Sequence, residues 1–299
     1  MSVFHAIRAG VFAVGRRKKI VWTWYALSLL CAVAVIAPIV AAIAAFLGTS
    51  LENPRLFENF DVSFIAEFGW NSHWDQFALW IPVVAAAGGV FVLLTTWLSG
   101  GALAVLRDPS ESFFAGCARW FPPFLRLALF SLLGYGIAYG CWGLASMLVS
   151  KIARDSMSAK PSALGSMTAF VSFCVAFLFV NLLADYAKVY MVARGDRAAR
   201  RGIRGAFRFV FANFRRTVGI YAVLTGGGLL MLGVYHGVSE AIGQGSLGAV
   251  LLLFVIRQVY TWGRTWLRFV FLASEHAYFV SLMPVPAPLE ESLEFNESV

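Results

Sequence analysis

A chain of 299 residues that is 60% hydrophobic and only 13% charged departs widely from a soluble domain, which runs at about 25% charged and 45–50% apolar. A water-soluble fold is therefore excluded. The formal net charge of +8 is gathered on one side of the apolar blocks, which makes it a topology signal and sets nucleic-acid binding aside.

A bilayer core about 30 Å thick takes roughly 20 apolar residues of helix. Uncharged runs of that length lie between Lys19 and Glu52, Asp75 and Arg107, Arg126 and Lys151, Lys160 and Asp185, and Arg216 and Glu240. These give spans at 20–48, 77–106, 126–150, 166–192 and 217–239. The first run is about twice a signal-peptide core and opens onto no soluble domain, so it is expected to stay as a span. A sixth span is expected at 247–270, around the run Leu251–Ile256, although it must carry Arg257 inside it. Tyr260, Trp262 and Trp266 then fall where an interfacial belt belongs. The expected fold is an all-α polytopic membrane bundle of six helices, forming a single transmembrane domain over 1–283.

Placing the N-terminus in the cytoplasm puts 20 basic residues inside against 4 outside (Arg55, Lys151, Arg154 and Lys160). That bias predicts both termini in the cytoplasm. Three amphipathic stretches precede the odd-numbered spans, at 3–16, 111–125 and 197–214. In the third, Ile203, Ala206, Phe207, Val210, Phe211 and Phe214 share one helical face. Arg197, Arg200, Arg201, Arg204 and Arg208 take the other, as candidates for contact with anionic lipid of the inner leaflet. Phe113, Phe114, Cys117, Trp120 and Phe121 repeat the pattern in the second. The stretches read as openings of a threefold helical-hairpin repeat. At an offset of 89, Gly116, Arg119 and Arg126 fall on Gly205, Arg208 and Arg215. At an offset of 196, Ile7, Arg8, Lys19, Tyr25 and Ala26 fall on Ile203, Arg204, Arg215, Tyr221 and Ala222.

The sizeable outer loop, 49–76, carries Phe57, Phe60, Phe64 and Phe68 at near-helical spacing, as a helix on the outer leaflet would. The segment 284–299, proline-rich and then acidic, is expected to be disordered.

Intramembrane charge is the main signal for function. On the last helix, Arg257, Arg264, Arg268 and Glu275 follow at intervals of 7, 4 and 7, on one face. Asp185, Tyr186, Lys188 and Tyr190 cluster near the inner end of the fourth. At 1.5 Å per residue, Asp185 lies ~28 Å and Arg264 ~26 Å from the outer ends, a shared depth that allows a buried pair. Arg268 and Lys188 then snorkel to headgroups. Arg257, ~15 Å deep, must face the bundle, a carbonyl cluster or a water-filled cavity. In a cavity its guanidinium would grip a carboxylate or phosphate.

The glycines Gly136, Gly140 and Gly143 point to close helix packing or self-association. Gly100–Gly101 and Gly226–Gly228 serve either packing or a helix break. Cys31, Cys117, Cys141 and Cys174 are scattered core residues. No HExxH, GxxxxGK[ST], GxSxG or paired-Asp motif occurs, so no metal or cofactor is called for and catalysis is not expected. His236 reads as a satisfied polar group, with proton shuttling as the alternative.

The runs Thr96–Leu106 (TWLSGGALAVL), Gly116–Phe124 and Asp185–Arg194 resemble six-span bacterial inner-membrane proteins of uncharacterised activity. That resemblance implies a bacterial cytoplasmic membrane and brings no activity with it. The leading expectation is a non-catalytic membrane protein, either lipid-interacting or an accessory subunit with membrane partners or a second copy of itself. A permease for an anionic or amphipathic substrate is the alternative. A lipid-modifying enzyme comes third, and would need Asp185, Glu275 or His236 to meet another polar group in one pocket.

Overall fold

The structure is a computed structural model that describes residues 1–47, 74–153, 160–242 and 246–283. Among them are eight helices and no strand: α1 (Val3–Gly15), α2 (Lys18–Leu47), α3 (Trp74–Arg107), α4 (Phe113–Ala153), α5 (Lys160–Arg194), α6 (Ala199–Ala212), α7 (Phe214–Ile242) and α8 (Leu247–Leu282). The expected helix in the 49–76 loop, apart from the start of α3, and the acidic tail lie outside the described residues.

Five helices are long and apolar enough to cross a membrane: α2, α3, α4, α5 and α7. The chain is thus a multi-pass helical membrane protein. The sixth expected span forms as a continuous helix, α8, but its apolar run is broken by Arg257, Gln258 and Arg264 and it is not among the five.

Two of the three amphipathic openings are separate helices. Arg16 and Arg17 form a turn between α1 and α2. Asn213 divides α6 from α7, because its N–H closes α6 on Phe209 O and its carbonyl accepts from the amides of Arg216 and Thr217. The second opening is not separate: α4 runs unbroken through Pro122–Pro123 for 41 residues. Two prolines withhold two backbone donors without stopping this helix. At about 1.5 Å per residue it is roughly twice as long as a bilayer core is thick.

The helices form two compact units. The first holds Met1–Gly15, Ser99–Val223 and the chain from Val270. Here each opening sits on the end of a long helix through a glycine. Gly10 of α1 lies against Ser274 of α8, Gly116 of α4 against Gly101 and Ala104 of α3, and Gly205 of α6 against Tyr190 of α5. Gly101 and Tyr190 are themselves 89 residues apart, so the sequence offset relates the partners as well. α4 and α5 pair along their length, with Gly134 against Val180, Gly165 against Val149, and the Tyr135 hydroxyl donating to Asn181 Oδ1 at 2.9 Å.

The second unit holds Arg16–Leu98 and Leu224–Phe269. α2 meets α8 through a Tyr25 hydroxyl donating to Gln258 Oε1 at 2.7 Å and through the Trp22–Trp262 ring pair. α7 meets α8 through Gly263 against Met231 and stacked Tyr235 and Tyr260.

Candidate functional site

α5 ends in a motif that aims α6. Gly195 takes φ 67, a left-handed conformation that a side chain would strain. The amides of Gly195 and Asp196 then bond back to the carbonyls of Val192 and Met191, at 3.1 and 3.0 Å. Asp196 faces the start of α6, accepting from the Ala198 amide at 2.9 Å and from Arg201 Nε at 3.0 Å.

α6 has three kinds of surface. Ala199, Gly202, Ala206, Phe209 and Val210 are buried against the protein. Phe207 and Phe211 are 50% and 51% exposed, whereas Phe209 is 2% exposed. Arg197, Arg200, Arg201, Arg204 and Arg208 are all exposed. Arg201 is neutralised by Asp196. Among the described residues, Arg200, Arg204 and Arg208 have no carboxylate partner. The apolar face foreseen from the sequence is therefore two faces, one toward protein and one outward beside the arginines. α1 behaves similarly, with Ala6, Gly10 and Val14 buried and Phe4 and Phe12 outward beside exposed Arg8.

A cleft of about 480 Å³ opens beside the start of α6. Its walls are Arg126, Leu129, Phe130 and Leu133 of α4, with Ala198, Ala199 and Arg200 opposite.

Beneath α6 lies a buried polar cluster. Asp185, Tyr186, Ser274, Glu275 and Tyr278 come from α5 and α8 and are 0–2% exposed, while buried Thr217 of α7 donates back to the carbonyls of Asn213 and Phe214. Lys188 Nζ donates to Asp185 Oδ1 at 3.1 Å. The rings of Tyr186 and Tyr278 both pack on Phe209 of α6. The hydroxyls of Tyr186 and Tyr278 have no hydrogen-bond partner among the described residues.

Of the residues singled out from sequence, Asp185 and Lys188 are brought together. Asp185 has a salt-bridge partner on its own helix in Lys188, and Arg264 is exposed. Arg257 is also exposed, along with Val250 and Phe254, and lines no part of the cleft at α6. Arg268 is half-buried. His236 is an exposed surface group 3.2 Å from Glu240. Gly100 and Gly101 pack against α4 within an unbroken α3, so they serve close approach and not a helix break. Glu275, Ser274 and Tyr278 belong to the polar cluster, and sequence spacing alone had placed only Glu275 among the candidates. No group of His, Cys, Asp and Glu side chains that could hold a metal ion occurs among the described residues. No protein-family model, curated protein or solved structure gives a significant match to this chain.

Proposed function

We propose that this protein is non-catalytic and works through lipid. In this reading α6 is a membrane-surface helix that gathers anionic phospholipid at the cytoplasmic face of a bacterial inner membrane, with both chain termini on that side. The observation that carries the reading is the outward surface of α6, where half-exposed Phe207 and Phe211 alternate with unneutralised Arg200, Arg204 and Arg208. Phenylalanine set beside arginine suits the boundary between acyl chains and headgroups. Each arginine near an anionic surface contributes about 1 kcal/mol. The polar cluster supports a non-catalytic role: an acid or base must reach its substrate, and Asp185 and Glu275 are sealed at 2% and 0% exposure.

The test is lipid composition. Protein extracted with its surrounding bilayer in polymer discs should carry more anionic phospholipid than the bulk membrane. The triple change Arg200→Gln, Arg204→Gln, Arg208→Gln should bring that enrichment down to bulk. Equal enrichment in both proteins would remove the basis of the proposal.

An accessory role toward a partner subunit has its own support on α8. Arg257 and Arg264 are exposed on the face that carries exposed Val250 and Phe254. A guanidinium turned outward at membrane depth costs a few kcal/mol unless covered or drawn to the interface. A carboxylate-bearing membrane partner would cover it. Photo-crosslinkers at Val250 and Phe254 should capture such a partner in cells, and capture of lipid alone would dismiss this second role.

A further inference from the structure

We infer that the cleft between α4 and the start of α6 is a discrete site for one anionic glycerophospholipid, with the phosphodiester at Arg126 and Arg200 and an acyl chain along Leu129, Phe130 and Leu133. The inference rests on the lipid reading of α6 and sharpens it from a diffuse basic surface to a single seat. The lining divides by chemistry. Its walls hold two guanidinium groups from two helices, neither with a carboxylate partner among the described residues. They also hold three apolar side chains of α4 that follow Arg126 along its axis, with Leu129 57% and Leu133 65% exposed. Such a lining offers both chemistries that a phospholipid carries.

The start of α6 adds to the basic part of the lining. Its first intrahelical bond runs from the Gly202 amide to the Ala198 carbonyl at 3.0 Å. The amides of Ala199, Arg200 and Arg201 precede it and carry the positive end of the helix dipole. No side chain of the N-cap residue occupies this end. Asp196 does reach it, through the Ala198 amide and Arg201. One acid thus offsets Arg201 and leaves Arg126 and Arg200 to an incoming anion. Guanidinium groups suit the task because their forked donors match phosphate oxygens. The apolar wall selects a lipid over a free anion, since inorganic phosphate would leave Leu129, Phe130 and Leu133 uncovered.

The experiment is native mass spectrometry of the delipidated full-length protein titrated with phosphatidylglycerol or phosphatidylcholine. The wild type should retain one phosphatidylglycerol more tightly than the rest and show no such step with phosphatidylcholine. Arg126→Gln and Arg200→Gln should each weaken that first binding about tenfold or more, as loss of a charge-assisted hydrogen bond does. Arg215→Gln with Arg216→Gln, exposed on α7 and outside the cleft lining, should leave the first step intact. Loss of that step in both sets would overturn the discrete site while leaving the general lipid reading in place. Loss in neither set would overturn the site, and with no phosphatidylglycerol preference the lipid reading would fall too. Displacement of the bound lipid by millimolar inorganic phosphate would show an anion site without an acyl seat, which also overturns the inference.

Discussion

Lys188 Nζ lies 3.1 Å from Asp185 Oδ1, one turn along α5, and the two side chains are 15% and 2% exposed. The pair is buried on α5 within the first unit. Removing one member of a buried pair leaves an uncompensated charge and typically costs about 3–5 kcal/mol. Asp185→Asn and Lys188→Met should each lower thermal stability in detergent, and the double change should recover part of the loss. Additive losses would show that the two side chains do not act as a pair.

The glycines allow a sharper contrast. A Cβ on Gly116 would lie 2.5 Å from that of Ala104 and 3.2 Å from the Gly101 backbone. Gly116→Ala should therefore force α3 and α4 apart, at a cost of about 1–3 kcal/mol. Gly136 and Gly140, farther along α4, have open space where a Cβ would stand. There Gly→Ala should be neutral or stabilise the helix by up to about 1 kcal/mol. Thermal melts of the three variants give the ordering. A strongly destabilised Gly136→Ala would mean that this face is covered in the membrane, as self-association would require.

Whether α8 crosses is decided by labelling. The helix has 36 residues, long enough at about 1.5 Å each to cross a bilayer core with length to spare. In a background lacking Cys31, Cys117, Cys141 and Cys174, a cysteine at Gly248 should react with an impermeant reagent added outside, and one at Ser281 should not. Outside labelling at Ser281 would reduce the protein to five spans and move the tail across the membrane.

The turn from α3 to α4 carries a titration test. Ser110 donates to Asp108 Oδ1 through its hydroxyl at 2.7 Å and its amide at 2.9 Å. These bonds hold the Asp108 carboxyl below its usual value. A depressed carboxyl stabilises the fold above its unfolded pKa, and that stabilisation is lost as pH falls through the lower folded value. Ser110→Ala removes the hydroxyl bond and should raise the Asp108 midpoint, read by carboxyl ¹³C shifts. An unchanged midpoint would mean that the amide alone sets it.

Much of this architecture is legible from sequence because lipid imposes long apolar runs: α2, α3, α4, α5 and α7 each follow from one. The partner of Asp185 does not follow. Counting depth along two helices matched Asp185 with Arg264, but depth says nothing about direction around a helix, and Lys188 was nearer on the same face. The 89-residue offset carries a further signal that depth obscured. Thr96, Asp185 and Ser274 follow one another at intervals of 89 residues, and all three are buried polar side chains. The continuity of α4 is a different matter. Pro122–Pro123 beside a basic boundary looks like a break, and only packing of Trp120 and Phe124 on either side shows the helix carried through.

α6 shows the limit of periodicity most clearly, and its resolution can be tested. An amphipathic pattern separates apolar from charged positions, but protein interior and lipid are both apolar, so the pattern cannot tell one from the other. Phe207, Phe209 and Phe211 all count as hydrophobic, yet Phe209 is packed under Tyr186, Tyr278 and Phe279, while Phe207 and Phe211 stack outward at 4.4 Å between ring centres. If α6 lies in the interface, those two rings sit among acyl chains. A tryptophan on a background freed of the native ones, placed at 207 or 211, should be quenched by brominated acyl chains. One at 209 should be shielded and should lower stability, because it is larger than the buried ring it replaces. Quenching at 207 and 211 should be greater in bilayers containing phosphatidylglycerol and should decline as salt rises, because the arginines hold the helix down by charge and salt screens them. Aqueous iodide quenching positions 207 and 211 more strongly than bromolipid would place α6 in water, and the lipid reading of the protein would go with it.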